Sequence, residues 1–238
     1  MSSITFALNP RLDPVALADK FDGAGRVRVK DFLAPGLAEQ LHQHLRGRTD
    51  WRQMINNGAK VLELDRSTRA AFSPEQRAML DDGVYGSARS GFQFRYEALR
   101  VPDDDGERRR STDLLATFAR WLSGGAPRDL MRTITGAKVV AFADAQATAF
   151  APGDFLTGHD DVIEGRHRHA AYVFGLNPVW RTEWGGLLLF HDGQAVSGVV
   201  PALNTIDIFR VGQMHSVSEV TRSAAYRRYS ITGWLRSR

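Results

Sequence analysis

His159 and Asp161 stand two residues apart at the end of the run Phe155 to Asp161, whose residues predict a β-strand. On a strand, residues i and i+2 face the same side, so an imidazole and a carboxylate would converge while Asp160 points away. His215 lies in a second such run, Met214 to Val220, and the chain between can hold several strands and return to the same place. Two histidines and one carboxylate on one face of a metal leave three coordination positions open. That set suits non-haem iron(II), where a cosubstrate and dioxygen must both reach the metal. Further on, Arg228, Ser230 and Thr232 alternate along a third strand. A guanidinium with two hydroxyls on one face is a clamp for a carboxylate.

Other polar and aromatic residues have plainer expectations. His42 and His44 point about 200° apart on a helix and are expected on its solvated surface. His167 and His169 are expected at the surface, and Arg168 between them as an exposed strand-end arginine, with substrate binding as its alternative role. Segment 162–168 is a candidate lid. His191 is expected to be a hydrogen-bonded structural histidine, Trp180 and Trp184 to pack the loop after Asn177-Pro178, and Trp234 to sit in the core.

Two kinds of segment must position these groups. Before residue 138, helices alternate with short strands. Asp13-Pro14 and Ser73-Pro74 open helices as cap and first turn, Leu37, Leu41 and Leu45 make one apolar stripe, and Ser111 to Leu122 reads as a helix ended by Gly124-Gly125. Pro127 to Ile134 predicts another helix; Val27 and Val29, and then Phe92, Phe94 and Tyr96, alternate as strands. From Lys138 onward, short β-rich runs are separated by Pro, Gly and Asn-Pro turns, with no convincing helix among them. The expected fold is α+β and mainly β. Residues 138–238 form a double-stranded β-helix, or jelly roll, as catalytic core, and residues 1–137 pack outside it as support within one compact domain.

Composition narrows the chemistry. Without cysteine there is no disulfide, thiolate ligand or cysteine nucleophile. The net charge of +4 is small, and the run Arg108-Arg109-Arg110 follows Asp103-Asp104-Asp105 in what reads as a solvated loop, so nucleic acid is not expected as a partner. The first residues lack a basic start and an apolar run, and no stretch would span a bilayer; a cytoplasmic protein without a membrane partner is expected.

Pro152-Gly153-Asp154-Phe155-Leu156, the His159-x-Asp161 pair, the strand from Arg168 to Asn177, Trp180, Gly185-Gly186-Leu187-Leu188, His215 and Arg228-x-Ser230-x-Thr232-Gly233-Trp234 together resemble the prolyl-4-hydroxylase-like branch of the 2-oxoglutarate/iron(II) oxygenases. The resemblance covers roughly residues 138–238. It implies Fe(II) on His159, Asp161 and His215, with 2-oxoglutarate and O2 as cosubstrates and ascorbate as supporting reductant. The distal carboxylate of 2-oxoglutarate would lie on Arg228, with Thr232 and Ser230. The implied reaction couples decarboxylation of 2-oxoglutarate to succinate with C–H hydroxylation of a prolyl residue in a protein. Halogenating relatives replace the carboxylate ligand with a small residue; Asp161 is intact, which implies hydroxylation. The chain departs from many relatives at Phe150 and at Gly175, where they carry tyrosines. Two other readings compete: a hydroxylase of a free amino acid or small metabolite, and a non-catalytic cupin-like metal-binding module, against which the Arg228 clamp argues.

Overall fold

The computed structural model describes residues 4–237. The N-terminal part runs α1 (Pro14–Ala24), β1 (Arg26–Val29), α2 (Leu37–Gly47), the hairpin β2 (Arg52–Asn57) and β3 (Lys60–Asp65), α3 (Arg66–Ala70), α4 (Pro74–Ala88), β4 (Phe94–Arg100), α5 (Asp105–Arg110), α6 (Leu114–Leu122) and α7 (Gly125–Thr135). Strands then dominate: β5 (Phe142–Ala143), β6 (Gln146–Phe150), β7 (Phe155–His159), β8 (Arg168–Leu176), β9 (Leu188–Asp192), β10 (Ala195–Val199), β11 (Leu203–Arg210), β12 (His215–Val217) and β13 (Arg228–Arg236). Between β5 and β13 the only helical turn among the described residues is Thr182–Trp184. The fold is the expected one: a curled, antiparallel, jelly-roll sheet with helices outside it.

The sheet runs β1-β11-β8-β13-β6-β4-β7-β12-β9-β10, with β2 and β3 added beside β4 and β5 beside β13. Strands β1 and β4 come from the N-terminal part yet lie within this order, so the support region is hydrogen-bonded into the barrel. Strand β4 turns the curl, pairing with β6 through Glu97 to Arg100 and with β7 through Phe94 and Arg95. Phe92 lies just before this strand.

Helices form where the caps say they should. Asp13 accepts from Val15 and Ala16 at the start of α1, and Ser73 and Gln76 make a reciprocal capping box on α4. The core lies between the helices and the outer face of the sheet. Phe118 of α6 stacks on Phe174 of β8 at 5.4 Å, and Phe32 meets the same ring edge-on at 5.7 Å. All three are fully buried, each contributing about 1.5–3 kcal/mol by leaving water.

Two local expectations fail. The Arg108 region is helix α5, capped by Asp104, and Arg108 itself is buried. Its guanidinium donates to the carbonyl oxygen of Ala143 and to the Ser123 hydroxyl, both at 3.0 Å, acceptors that a solvated loop would have left to water. The helix before Gly124-Gly125 ends at Leu122 as expected, and Gly124 also caps the start of α7. His42 and His44 are not on a solvated surface, because α2 lies against the sheet and α6. His42 Nδ1–H donates to the Leu176 carbonyl at 2.7 Å, and His44 bonds Asp113, the cap of α6, at 3.1 Å.

Candidate active site

The turn Pro152-Gly153 launches β7. Gly153 adopts a φ of 90°, and a Cβ there would stand 2.9 Å from the Arg95 guanidinium. Arg95 donates to the Gly153 carbonyl at 2.8 Å and to Asp154 at 3.1 Å, while Asp154 accepts from the Ala151 amide at 2.9 Å. Burial pushes the Asp154 carboxyl up to about 7, against the Ala151 hydrogen bond and the Arg95 charge. The start of the strand that carries His159 is thus pinned on both sides.

Register brings the histidines together. His215 of β12 is the direct partner of His159 of β7, and their rings lie 4.1 Å apart. Asp161 is not on the strand. The strand ends at His159, and Asp161 takes a left-handed φ of 63°, which aspartate tolerates better than most residues. Its carboxylate reaches the pair by this reversal rather than by i, i+2 alternation. Asp161 Oδ1 lies 3.5 Å from His159 Nε2, and Oδ2 lies 3.4 Å from His215 Nε2. One ligand atom from each of the three side chains falls within 4.8 Å of the others.

Protonation is arranged for ligation. His159 Nδ1 lies 3.0 Å from the Thr157 carbonyl and His215 Nδ1 lies 2.8 Å from the Gln213 carbonyl. Each Nδ1 therefore donates a proton to a carbonyl, which leaves Nε2, on the side of Asp161, as the nitrogen open to a metal. Burial and the adjacent His159 lower the pKa of His215, which favours the neutral imidazole a metal requires. Two Nε2 atoms and a carboxylate suit iron(II), with room left in a cavity of about 390 Å³ that both sides of the curled sheet line.

Arg228 lines that cavity and is the group that most needs a partner. It is buried, and burial pushes it down to about 10, only partly opposed by Asp207. Asp207 is already occupied: Arg28 holds both its oxygens at 2.7 Å. Among the described residues Arg228 has only the Ser230 hydroxyl at 3.2 Å, and its Nε has no acceptor. A buried, unpaired cation facing a cavity fits an anionic ligand such as the distal carboxylate of 2-oxoglutarate.

The two hydroxyls behave differently. Thr232 lines the cavity with Arg228, whereas Ser230 is fully buried, does not line it, and bonds Thr148 at 2.8 Å while accepting from Arg228. Ser230 steadies the guanidinium. Gly175 cannot carry a tyrosine, since even a Cβ would stand 2.4 Å from the Ala202 carbonyl oxygen. Tyr96, which sequence reasoning placed on a strand without a role, lines the cavity instead, stacked on Phe150 at 5.1 Å. The signal was present in the alternation of Phe94 and Tyr96, which gives one face of β4 two aromatic rings.

Arg168 is not a free surface arginine. It donates to the Asp161 carbonyl at 3.1 Å, its guanidinium lies 3.5 Å from the centre of the Trp234 ring, and both line the cavity. Trp234 is therefore cavity wall rather than core, because alternation along β13 puts it on the face of Arg228 and Thr232. Among the described residues, Arg168 Nε and Trp234 Nε1 are buried donors without acceptors. Val162 and Ile163, both exposed, form part of the mouth. His191 bonds Ser216 at 2.8 Å, His167 is exposed, and His169 is half-buried with Nε2 3.1 Å from the Ser237 hydroxyl. Trp180 donates to the Gly185 carbonyl at 2.9 Å and meets Trp184 edge-on, packing the loop as expected.

Comparison with known proteins agrees with this geometry. The family model of the 2OG-Fe(II) oxygenase superfamily matches residues 145–236. The chain is 31% identical over 131 residues to prolyl 3-hydroxylase OGFOD1 of Xenopus laevis, and 29% identical over 123 residues to prolyl 3-hydroxylase sudestada1 of Drosophila melanogaster. These alignments cover 51% and 45% of this chain but only 23% and 22% of those proteins, so the match spans less than a quarter of their length. Among solved structures, a Pseudomonas putida prolyl-4-hydroxylase superposes with a TM-score of 0.60 at 19% identity, over 95% of this chain and all of that one. A Trichoplax adhaerens prolyl hydroxylase, solved with a hypoxia inducible factor peptide fragment, gives 0.57 at 14% identity over 93% and 87%. At such identities the structures speak for the fold. The matched segment contains His159, Asp161, His215 and Arg228, and over that segment the chain is similar to the 2OG-Fe(II) oxygenase superfamily.

Proposed function

We propose that this protein hydroxylates a prolyl residue of a protein substrate, using iron(II) on His159, Asp161 and His215 and 2-oxoglutarate anchored by Arg228 and Thr232. The observation that carries the reading is the buried, unpaired Arg228 in the same cavity as the three candidate ligands. When bound, iron(II) with 2-oxoglutarate and O2 supplies the C–H oxidation and releases succinate and carbon dioxide. The protein's own task is orientation. Thr157 and Gln213 carbonyls hold the imidazoles, Arg168 holds the main chain of Asp161, Ser230 holds the guanidinium, and apolar walls including Phe150, Leu188 and Val217 keep water away.

A peptide substrate is favoured by the prolyl hydroxylase names of both sequence relatives and of the two solved structures described above, and by the donors of Arg168 and Trp234 that have no acceptor among the described residues, which suit an amide oxygen. A free amino acid remains the second reading, since a carboxylate would satisfy the same two donors. The cupin-like module without catalysis is disfavoured, because a metal-only site has no use for Arg228. No described helix is long and apolar enough to cross a membrane.

Purified protein with Fe(II), ascorbate and 2-oxoglutarate should form succinate, and a proline-containing peptide library should gain 16 Da on proline. Absence of keto-acid turnover with every substrate, together with no anaerobic binding of 2-oxoglutarate, would overturn the proposal. Turnover stimulated by free amino acids alone would transfer it to the second reading.

A further inference from the structure

Tyr229 alternates with Arg228 and Ser230 along β13, so its ring lies on the opposite face of the strand from the candidate active site. There it helps form a second cavity of about 360 Å³ with His42 and Arg46 of α2, Asn177, Tyr226 and Arg227. No Asp or Glu lines this cavity.

Arg227 is one of three guanidiniums, with Arg66 and Arg69 of α3, that converge on Glu97 of β4. The Glu97 carboxylate is wholly buried and accepts from Arg66 at 3.1 and 2.9 Å, while Arg69 and Arg227 each close on one of its oxygens. Burial would raise the pKa of Glu97, but Arg66, Arg227 and Arg69 hold it below the ordinary value, so it remains a single negative charge. Among the described residues none of the three arginines has a second carboxylate partner, and Arg46 has none. Three positive charges therefore share one negative one, and a further guanidinium stands beside the cavity that Arg227 borders. The Tyr229 hydroxyl lies within the electrostatic reach of Arg227, Arg66 and Arg46, with Glu97 the one acidic group opposing them there.

We propose that this rear cavity binds a phosphate group, held between Arg227 and Arg46 with the Tyr226 and Tyr229 phenols as additional donors. A tetrahedral dianion matches both the uncompensated charge and the forked donors of two guanidiniums, better than a single carboxylate would. The cavity is rigidly framed. Asn177 accepts from the Tyr229 amide at 2.8 Å and donates to its carbonyl at 2.9 Å, and His42 is tied to Leu176.

The test is calorimetric titration of the intact protein at constant ionic strength with inorganic phosphate and, separately, with O-phosphoserine. Saturable binding of one equivalent is expected. Arg46→Glu should weaken it by at least about tenfold, the loss of one charge-assisted contact. Because Arg46 is exposed and unpaired, thermal unfolding without ligand should be unchanged in that variant, and the milder Arg46→Ala should shift affinity the same way. Arg228→Gln, on the other face of the strand, should bind phosphate as the parent does. Tighter binding of phosphoserine assigns the group to a phosphorylated chain, and tighter binding of inorganic phosphate to a free ion. The proposal falls if neither probe saturates, if Arg46→Glu keeps full affinity, or if Arg228→Gln abolishes binding and so places the ion in the front cavity.

Discussion

Replacing Arg228 with Met should have two effects of opposite sign. An arginine held near 10, well below its ordinary value, has a charged form disfavoured by about 3 kcal/mol relative to water. The sign follows from linkage: a base whose folded pKa is depressed weakens the fold at every pH below that value, so the penalty is fully present at neutrality. Met fills similar volume without charge and leaves only the Ser230 hydroxyl short of one donor, and Ser230 keeps Thr148. The ligand-free variant should therefore be more stable than the parent, by about 1–3 kcal/mol once loss of the Ser230 bond is deducted. Binding moves the other way. Losing a buried guanidinium from a carboxylate removes about 2–5 kcal/mol, a fall of roughly 30- to several thousand-fold in 2-oxoglutarate affinity. Thermal unfolding in paired samples, with and without 2-oxoglutarate under anaerobic conditions, reads both effects at once. In the parent, ligand at a hundred times its Kd adds about 2.7 kcal/mol; the variant should show no such gain at that concentration. A variant that is less stable without ligand and still stabilised by it would refute the argument that Arg228 is an unpaired cation kept for an anion.

Asp161→Ala should abolish tight metal binding while leaving the cross-strand histidines in register, which calorimetry with Fe(II) or a spectroscopically visible substitute such as Co(II) would read; unchanged affinity would remove Asp161 from the ligand set. Asp154, pushed up to about 7 by burial, binds a proton in the folded state that the unfolded chain has already released, so its contribution to stability falls as pH rises from about 4 to about 7 and is level above that. Chemical denaturation of Asp154→Asn across this range should show a flatter pH dependence than the parent, and parallel curves would contradict the assignment. Gly175→Ala sets a methyl 2.4 Å from the Ala202 carbonyl oxygen, a main-chain atom with little freedom to retreat, and should cost about 1–3 kcal/mol in urea unfolding.

Sequence reasoning reached the three candidate ligands because residue type and strand texture both point to them, yet it reached Asp161 by the wrong geometry. A left-handed aspartate leaves no periodic trace; it is a property of the turn that follows β7. The strands from β6 to β11 were legible within a few residues since Pro, Gly or Asn stands near their ends, and β13 was legible by its alternation alone. What periodicity hides is what covers a face. His42 reads as solvated until α2 is laid against β8, Arg108 reads as a loop charge until the Ala143 carbonyl needs a donor, and Trp234 reads as core until the sheet curls around a cavity. Glu97 and its three arginines come from three separate segments, and nothing local in the chain announces their meeting.

Strand β12 has only three residues, with a register irregularity against β7 between His215 and Val217. Such a short ladder resists slippage weakly, and a shift of one position would turn the His215 imidazole from the interior to the opposite side. The grouping of the three candidate ligands is thereby tied to the alignment of one brief stretch of backbone, so loosening β9 or β7 on its flanks would part His215 from His159 and Asp161 before the barrel itself opens.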